Sequence, residues 1–267
     1  PARVIVVGPG LGGLTAAIAL LRRGIEVTVL EQSAELGEIG AGVQLSPNAI
    51  KVARALGLED EVLAVSYEPQ RHVIRSWRSG RELAATQLKG VLHDAFGGGY
   101  YGFHRADLHR VLQRHVPADR VRLGARCTSV RDEGGSAVVK LEDGEELRAD
   151  AVIGADGVHS LVRELVVGPE RPRFTGRVAY RTTYPSALLG ERTITPARTK
   201  WWGPDRHIVI YYTTAKRDEV YFVTSVAEPV EWMTAESWSA KGDVEEMRAL
   251  FSEFHADVRT AMAAAPE

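Results

Sequence analysis

The first thirty-one residues constrain this chain more than any other stretch. Arg3 to Val7 is a short apolar run, Gly8-Pro9-Gly10-Leu11-Gly12-Gly13 follows directly, Leu14 to Arg23 has helical periodicity, and a second apolar run, Ile25 to Leu30, ends in Glu31. A strand, a glycine turn, a helix and a second strand tipped by an acid form the arrangement that grips the ADP half of a dinucleotide. Gly8 permits the tight turn, Gly10 lets backbone N–H groups approach a pyrophosphate, and Gly13 lets the helix pack closely on the strand. Leu11 and Gly12 belong to the same cradle, whose phosphates would sit at the positive helix N-terminus. Glu31, about twenty residues further on, is placed to accept hydrogen bonds from the ribose hydroxyls. Pro9 is a departure, because it removes one N–H that could face the phosphates.

The 267 residues allow one large domain or two moderate ones, and 45% hydrophobic content supplies a packed core. With 33 basic against 35 acidic residues, no strong field points to nucleic acid or an anionic membrane, so a small-molecule partner is expected. Cys127 is the single cysteine, which excludes an intrachain disulfide, and the first strand starts at once, so a reducing, cytoplasmic setting is expected. No metal site is expected, and no apolar run approaches the ~20 residues needed to cross a bilayer.

Further along, the glycine-rich loop Gln32 to Gly42 closes with Gly40-Ala41-Gly42, and Ser46-Pro47 opens a helix through Leu56. His72 to Leu83 reads as a hairpin around Ser79-Gly80, and His104 to His115 as a helix with Leu108, Val111, Leu112 and His115 on one face. Strands Arg126 to Asp132, Ala137 to Leu141 and Glu145 to Ala149, separated by Gly134-Gly135 and Asp143-Gly144, form a three-stranded meander. Ala151 to Ala155 is a further buried strand, Asp156-Gly157 its exit turn, and Val158 to Val166 a short helix. Beyond Pro169 the chain turns to strands over Val178 to Tyr184, Arg206 to Thr213 and Glu219 to Ala227, then closes in one helix from about Asp243 to Met262.

Three of these pieces occur in order: Gly8 to Glu31, Phe103-His104-Arg105-Ala106-Asp107-Leu108, and Val152-Ile153-Gly154-Ala155-Asp156-Gly157-Val158-His159-Ser160-Leu161-Val162-Arg163. Together they resemble the single-component FAD-dependent aromatic hydroxylases, a group that includes salicylate and 4-hydroxybenzoate hydroxylases. The stretch Arg198 to His207 with Tyr211-Tyr212 is most similar to the members that hydroxylate 6-hydroxynicotinate. The resemblance implies an α/β flavoprotein of the glutathione-reductase type. Its parts would be a Rossmann-like FAD-binding domain with a β-meander, over residues 1–170, and an antiparallel-sheet substrate domain, over 171–267, joined by 71–100. It implies FAD, tightly bound in the full-length protein, and NADH or NADPH as a transient co-substrate. It also implies a monomer or homodimer that uses O2, through a flavin hydroperoxide, to hydroxylate a small phenolic or hydroxypyridine acid, with or without loss of CO2. A flavin-dependent reductase on the same fold, or a non-catalytic flavin-binding fragment, are the alternatives.

By the same resemblance Arg105, Asp156 and Gly157 contact the flavin nucleotide, although Asp156 could instead cap the following helix and Arg105 could be a solvated first-turn residue. Gln44 is counted with the cofactor contacts; it stands where the hydroxynicotinate-hydroxylating members carry a histidine. Strand alternation puts His207, Val209 and Tyr211 on one face and Ile208, Ile210 and Tyr212 on the other; by themselves these read as a surface histidine and a core tyrosine, and the resemblance makes His207 and Tyr211 the candidate catalytic pair. Imidazole near its ordinary value of about 6.5 could act as the base that activates a ring hydroxyl. Arg181, Arg198 and Lys200 are candidate anchors for a carboxylate, and Trp201 and Trp202 are either stacking partners or core. Gly242-Asp243 follows Ser239-Ala240-Lys241 rather than an apolar strand, so Asp243 with Glu246 reads as a helix cap. The family's last FAD-binding segment is therefore expected to be missing, and with it firm FAD retention by these residues alone.

Overall fold

The computed structural model describes residues 1–37, 41–170, 172–191, 194–228 and 241–266. Gly40, Ser239 and Ala240, named above, lie outside the described residues. Along the chain come β1 (Arg3–Val7), α1 (Leu11–Leu21), β2 (Glu26–Leu30), β3 (Gly42–Leu45), α2 (Pro47–Ala55), α3 (Glu59–Ala64), β4 (Ser66–Tyr67), β5 (Arg71–Ser76), β6 (Glu82–Gln87), α4 (Val91–Phe96), β7 (Tyr101–His104) and α5 (Arg105–Gln113). They continue with β8 (Val121–Arg122), β9 (Cys127–Asp132), β10 (Ala137–Leu141), β11 (Glu146–Ala149), β12 (Ala151–Gly154), α6 (Leu161–Val167) and β13 (Arg177–Val178). The last elements are β14 (Arg181–Pro185), β15 (Arg198–Trp202), β16 (His207–Tyr212), β17 (Glu219–Ala227), α7 (Val244–Leu250) and α8 (Ala256–Ala263).

The chain divides into two compact units, Pro1–Glu38 with Leu108–Arg173, and Ile39–Asp107 with Phe174–Glu267. The contiguous split at 170 gives way to an interleaved one, and the stretch that joins the second unit is 39–107 rather than 71–100. The reason is pairing: β3 and β4 hydrogen-bond to β7, and β5 pairs with β15, which ties this whole segment to later strands.

In the first unit β12, β1, β2 and β8 form a parallel sheet in that order. Val4 to Val7 are all buried, as expected for a strand covered on both faces. Ile5 and Val7 pack with Val139 and Leu141 of the antiparallel meander β11-β10-β9 and with Val162 of α6. The strand order reverses at β1, whose neighbours are β2 on one side and β12 on the other. The carboxyl end of β1, where the glycine turn begins, is thus a topological switch point, the place where open α/β sheets take ligands. Helix α1 starts at Leu11 rather than Leu14, because the glycines themselves supply its first turn.

The second unit is built on a seven-stranded, mostly antiparallel sheet in which β15 and β5 run parallel. One face carries Trp201, Ile208, Ile210, Tyr212, Val220 and Phe222 into a core closed by Met247, Phe251, Phe254, Val258 and Met262. The single closing helix expected over 243–262 is two. Asp243 caps α7 as expected, accepting from the N–H groups of Glu245 and Glu246 at 2.8 and 3.0 Å. The chain then turns at Phe251 and Phe254, both buried, and the His255 N–H donates to the Trp77 carbonyl at 2.7 Å before α8 begins. The strand expected over 178–184 is also broken, into β13 and β14, around Tyr180, whose N–H donates to the Thr224 hydroxyl rather than to a ladder carbonyl.

Phe251 is wholly buried in this core, so Phe251→Ala is expected to cost about 3–5 kcal/mol in urea unfolding. Phe96, 59% exposed, is expected to cost less than about 0.5 kcal/mol on the same substitution.

Candidate functional site

Each unit carries its own group of polar residues. In the first, Gly8 has φ +98°, and a Cβ there would lie 2.5 Å from the Ala155 carbonyl oxygen. A Cβ on Gly13 would lie 1.9 Å from the Gly8 carbonyl oxygen, so α1 reaches the end of β1 only because that residue is glycine. Gly10 and Gly12 have the opposite character: a Cβ on either would meet nothing within 4 Å. Gly10 is the N-cap of α1, with no side-chain cap and no acidic residue in the first turn. Acidic side chains stand at the start of α7 (Asp243, Glu245, Glu246) and in the first turn of α3 (Glu59, Asp60, Glu61), whereas α2, like α1, has neither a side-chain cap bond nor an acid there. The first N–H groups of α1, Leu11 and Gly12 among them, have no intrahelical acceptor, and an anion suits both such donors and the helix dipole.

Glu31 sits at the tip of β2, fixed by its N–H to the Arg122 carbonyl at 2.9 Å and by a hydrogen bond from the Ser33 N–H to Oε1 at 2.8 Å. Asp156 is committed locally. Its Oδ1 accepts from the Ser160 hydroxyl at 2.5 Å, and its Oδ2 accepts from the N–H groups of Leu161 and Val162 at 2.7 and 3.2 Å. The helix-capping alternative is therefore what the carboxylate does, with Ser160 as the N-cap of α6 and Gly157 making the turn at φ +80°. One residue of this group escaped the sequence reading. His109 is buried on α5, and its Nε2 lies 2.7 Å from the Pro9 carbonyl oxygen. Its helical spacing from the buried Ala106 and Leu112 is the signal that could have flagged it.

In the second unit, register places the site residues on the sheet face opposite the core. His207, Val209 and Tyr211 of β16 lie opposite Trp202, Lys200 and, one step further along, Arg198 of β15, while Arg198 in turn lies opposite His72 of β5. Tyr211 and Tyr221 meet edge to face with ring centroids 5.2 Å apart, and a Cβ on Gly42 would lie 2.5 Å from the Tyr211 hydroxyl oxygen. This close approach lets β3 deliver Gln44. Its Oε1 accepts from Arg198 Nε at 2.8 Å and from the Tyr100 hydroxyl. With that oxygen engaged twice, the amide N–H is the donor left for Tyr211, and this bond works against the burial that pushes the Tyr211 phenol well above its ordinary range. Gln44 thus belongs to the polar cluster of the second unit, together with Tyr211. Arg105 opens α5 and is tied through its N–H to the Ala41 carbonyl at 2.8 Å.

The His72 ring meets Arg198 twice: Nδ1 lies 2.8 Å from Arg198 Nη1 and 3.1 Å from the Arg198 carbonyl oxygen. Burial, and then the Arg198 charge, hold the His72 imidazole below its usual value. His207 is pushed down further, to about 4, by burial and then by Lys200, Arg177 and Arg198. Lys200 lies 4.0 Å from the Trp202 ring centroid, and Trp202 is half exposed, whereas Trp201 is core and stacks on His255. The tryptophan pair thus divides between the two faces of the sheet. Among the described residues neither Arg198 nor Lys200 has an acidic partner, so this face is cationic and lined with aromatic rings. No group of three or more metal-ligating side chains occurs among the described residues, and no described helix is long and apolar enough to cross a membrane.

A family model described as an FAD binding domain matches residues 1–266. The 6-hydroxynicotinate 3-monooxygenase of Bordetella bronchiseptica is 37% identical over 99% of this chain, which spans 69% of that relative's length. The 3-amino-4-hydroxybenzoate 2-monooxygenase of Streptomyces cremeus is 37% identical over 98% of this chain and 64% of its own. Among solved structures, Klebsiella pneumoniae HpxO complexed with FAD and uric acid superposes with a TM-score of 0.84 at 27% identity, covering 99% of this chain and 65% of that one.

His207 provides a direct check on the electrostatics. Its folded pKa lies near 4 against about 6.5 unfolded, so between these values the unfolded chain takes up a proton that the folded chain does not. Its contribution to stability is therefore expected to fall as pH drops from about 6.5 towards 4, and His207→Asn is expected to flatten that part of the pH–stability curve. Lys200→Met removes the charge that depresses His207 most, so the His207 imidazole is expected to titrate at higher pH by NMR.

Proposed function

The chain belongs to the FAD-binding-domain family of flavin-dependent aromatic monooxygenases, and on that footing we propose that it hydroxylates a small phenolic or hydroxypyridine carboxylic acid, using NAD(P)H and O2. The observation that carries this reading is the cationic face of the second unit. Arg198 is gripped at Nε and Nη1 by two neutral partners, Gln44 and His72, and carries no acid to neutralise it among the described residues. A half-buried guanidinium held this way is built for an anion that arrives from outside. Lys200 adds a second charge and Trp202 a ring surface, so an aromatic carboxylate satisfies the charge and the stacking together.

The cofactor fits the first unit. The open space at Gly10 and Gly12 and the bare N-terminus of α1 take the pyrophosphate, and the Glu31 carboxylate takes the ribose hydroxyls. Asp156 serves by fixing the turn that Gly157 makes. Bound FAD supplies the redox chemistry, accepting electrons from the nicotinamide and activating oxygen. The protein's own contributions lie in binding and proton handling. Arg198 and Lys200 hold the substrate carboxylate, and the low pKa of His207 keeps its imidazole neutral at pH 7, able to accept a hydrogen bond from a ring hydroxyl. Arrival of an anion beside Lys200 and Arg198 offsets the charges that depress His207. Its basicity therefore rises when substrate is present, which couples deprotonation of the ring hydroxyl to binding. Deprotonation raises electron density at the ortho and para carbons, the positions that hydroxylation needs. The Tyr211 phenol stays protonated and orients the cluster through Gln44.

The test is NAD(P)H oxidation by the FAD-loaded full-length protein with salicylate, 4-hydroxybenzoate and 6-hydroxynicotinate, with product and CO2 analysis. Stimulation by at least one, with a stoichiometric hydroxylated product, is the expected result; oxidation without any hydroxylated product from any of them would remove the reading. Arg198→Met is expected to raise KM for the carboxylate substrate by about 10–100-fold, with FAD affinity unchanged.

A further inference from the structure

The glycine turn is held from two sides. On one, Gly8 and Gly13 lock it against Ala155 and α1. On the other, His109 of α5, one hundred positions away in sequence, places Nε2 2.7 Å from the Pro9 carbonyl oxygen. A carbonyl only accepts, so Nε2 carries the proton. Nδ1 is buried without a hydrogen-bond partner among the described residues. An orphaned ring nitrogen is costly, and a leucine would fill the same space without it. What the histidine adds is a donor at Nε2.

Pro9 explains why a donor is needed there. Proline has no N–H, so this turn offers one donor fewer to a phosphate than a turn with another residue at that position. Its carbonyl remains, and a carbonyl oxygen facing the anion would repel it. We propose that His109 is a positioning residue for the dinucleotide cradle: it holds the Pro9 carbonyl towards the buried ring, so that a turn one donor short presents N–H groups and no opposing carbonyl to the pyrophosphate of FAD. The side chain touches neither flavin nor substrate in this role and acts through the backbone of residue 9.

Reach separates this role from simple packing. The amide nitrogen of glutamine stands where Nε2 stands, and that of asparagine stands one atom short, at Nδ1. His109→Gln is expected to bind FAD within about threefold of the parent, and His109→Asn and His109→Leu about tenfold more weakly, by fluorescence titration of the apo forms of the full-length protein. In the asparagine and leucine variants the 31P resonances of the bound pyrophosphate are expected to move, while the visible flavin spectrum stays as in the parent. Should the leucine variant not fold, the glutamine–asparagine pair decides alone. Equal FAD affinity and unchanged 31P shifts in those two variants would overturn the proposal, and so would a glutamine variant as weak as asparagine.

Discussion

Everything in the first unit depends on how closely three backbone segments approach at the end of β1. A Cβ on Gly13 would lie 1.9 Å from the Gly8 oxygen, and a Cβ on Gly8 would lie 2.5 Å from the Ala155 oxygen, so the turn, the start of α1 and the exit of β12 occupy space that any larger residue would need. This contact fixes where the first N–H groups of α1 point. It also draws Asp156 beside the turn, where its carboxylate serves α6. The cradle is a consequence of packing before it is a binding site. The ligand meets donors that the fold has already paid to orient.

The second unit solves a different problem. A sheet with one apolar face must place its other face somewhere, and here that face carries Arg198, Lys200 and two histidines, with no carboxylate paired to either cation among the described residues. Their mutual repulsion is limited by keeping both imidazoles neutral, which burial and the neighbouring cations enforce together. Tyr211 contributes in the same direction, since burial keeps its phenol protonated and no phenolate is available to neutralise Arg198. The face therefore keeps its positive charge.

What could be read from the sequence was local. The apolar runs around Gly8 and Glu31, the meander and its Gly and Asp-Gly turns, and the alternation that separates His207 and Tyr211 from Ile208 and Ile210 each depend on residues a few positions apart. Non-local pairings were not legible. Gln44 and Arg198 lie 154 positions apart, and no period or motif announces that one grips the other. The same holds for residues 39–107, whose attachment to the second unit rests on the parallel pairing of β5 with β15. The closing helix shows the limit of periodicity itself: Phe251 and Phe254 fall on the apolar stripe of one long helix, yet they are buried at the bend between two short ones.

Under the proposed function the two polar groups recognise anions by different physics, and the difference fits the roles proposed for them. At α1 the positive potential comes from backbone dipoles and N–H groups fixed in the fold, with no formal charge and no side chain to reorganise, which suits a cofactor held through every turnover. On the second sheet the potential comes from discrete cations whose neighbours titrate, so the arrival and departure of an anion changes the proton affinity of His207. A dipole site cannot provide that response, because nothing in it exchanges a proton. The substrate proposed for this chain, which loses a proton when bound and leaves after reaction, suits the second kind of site.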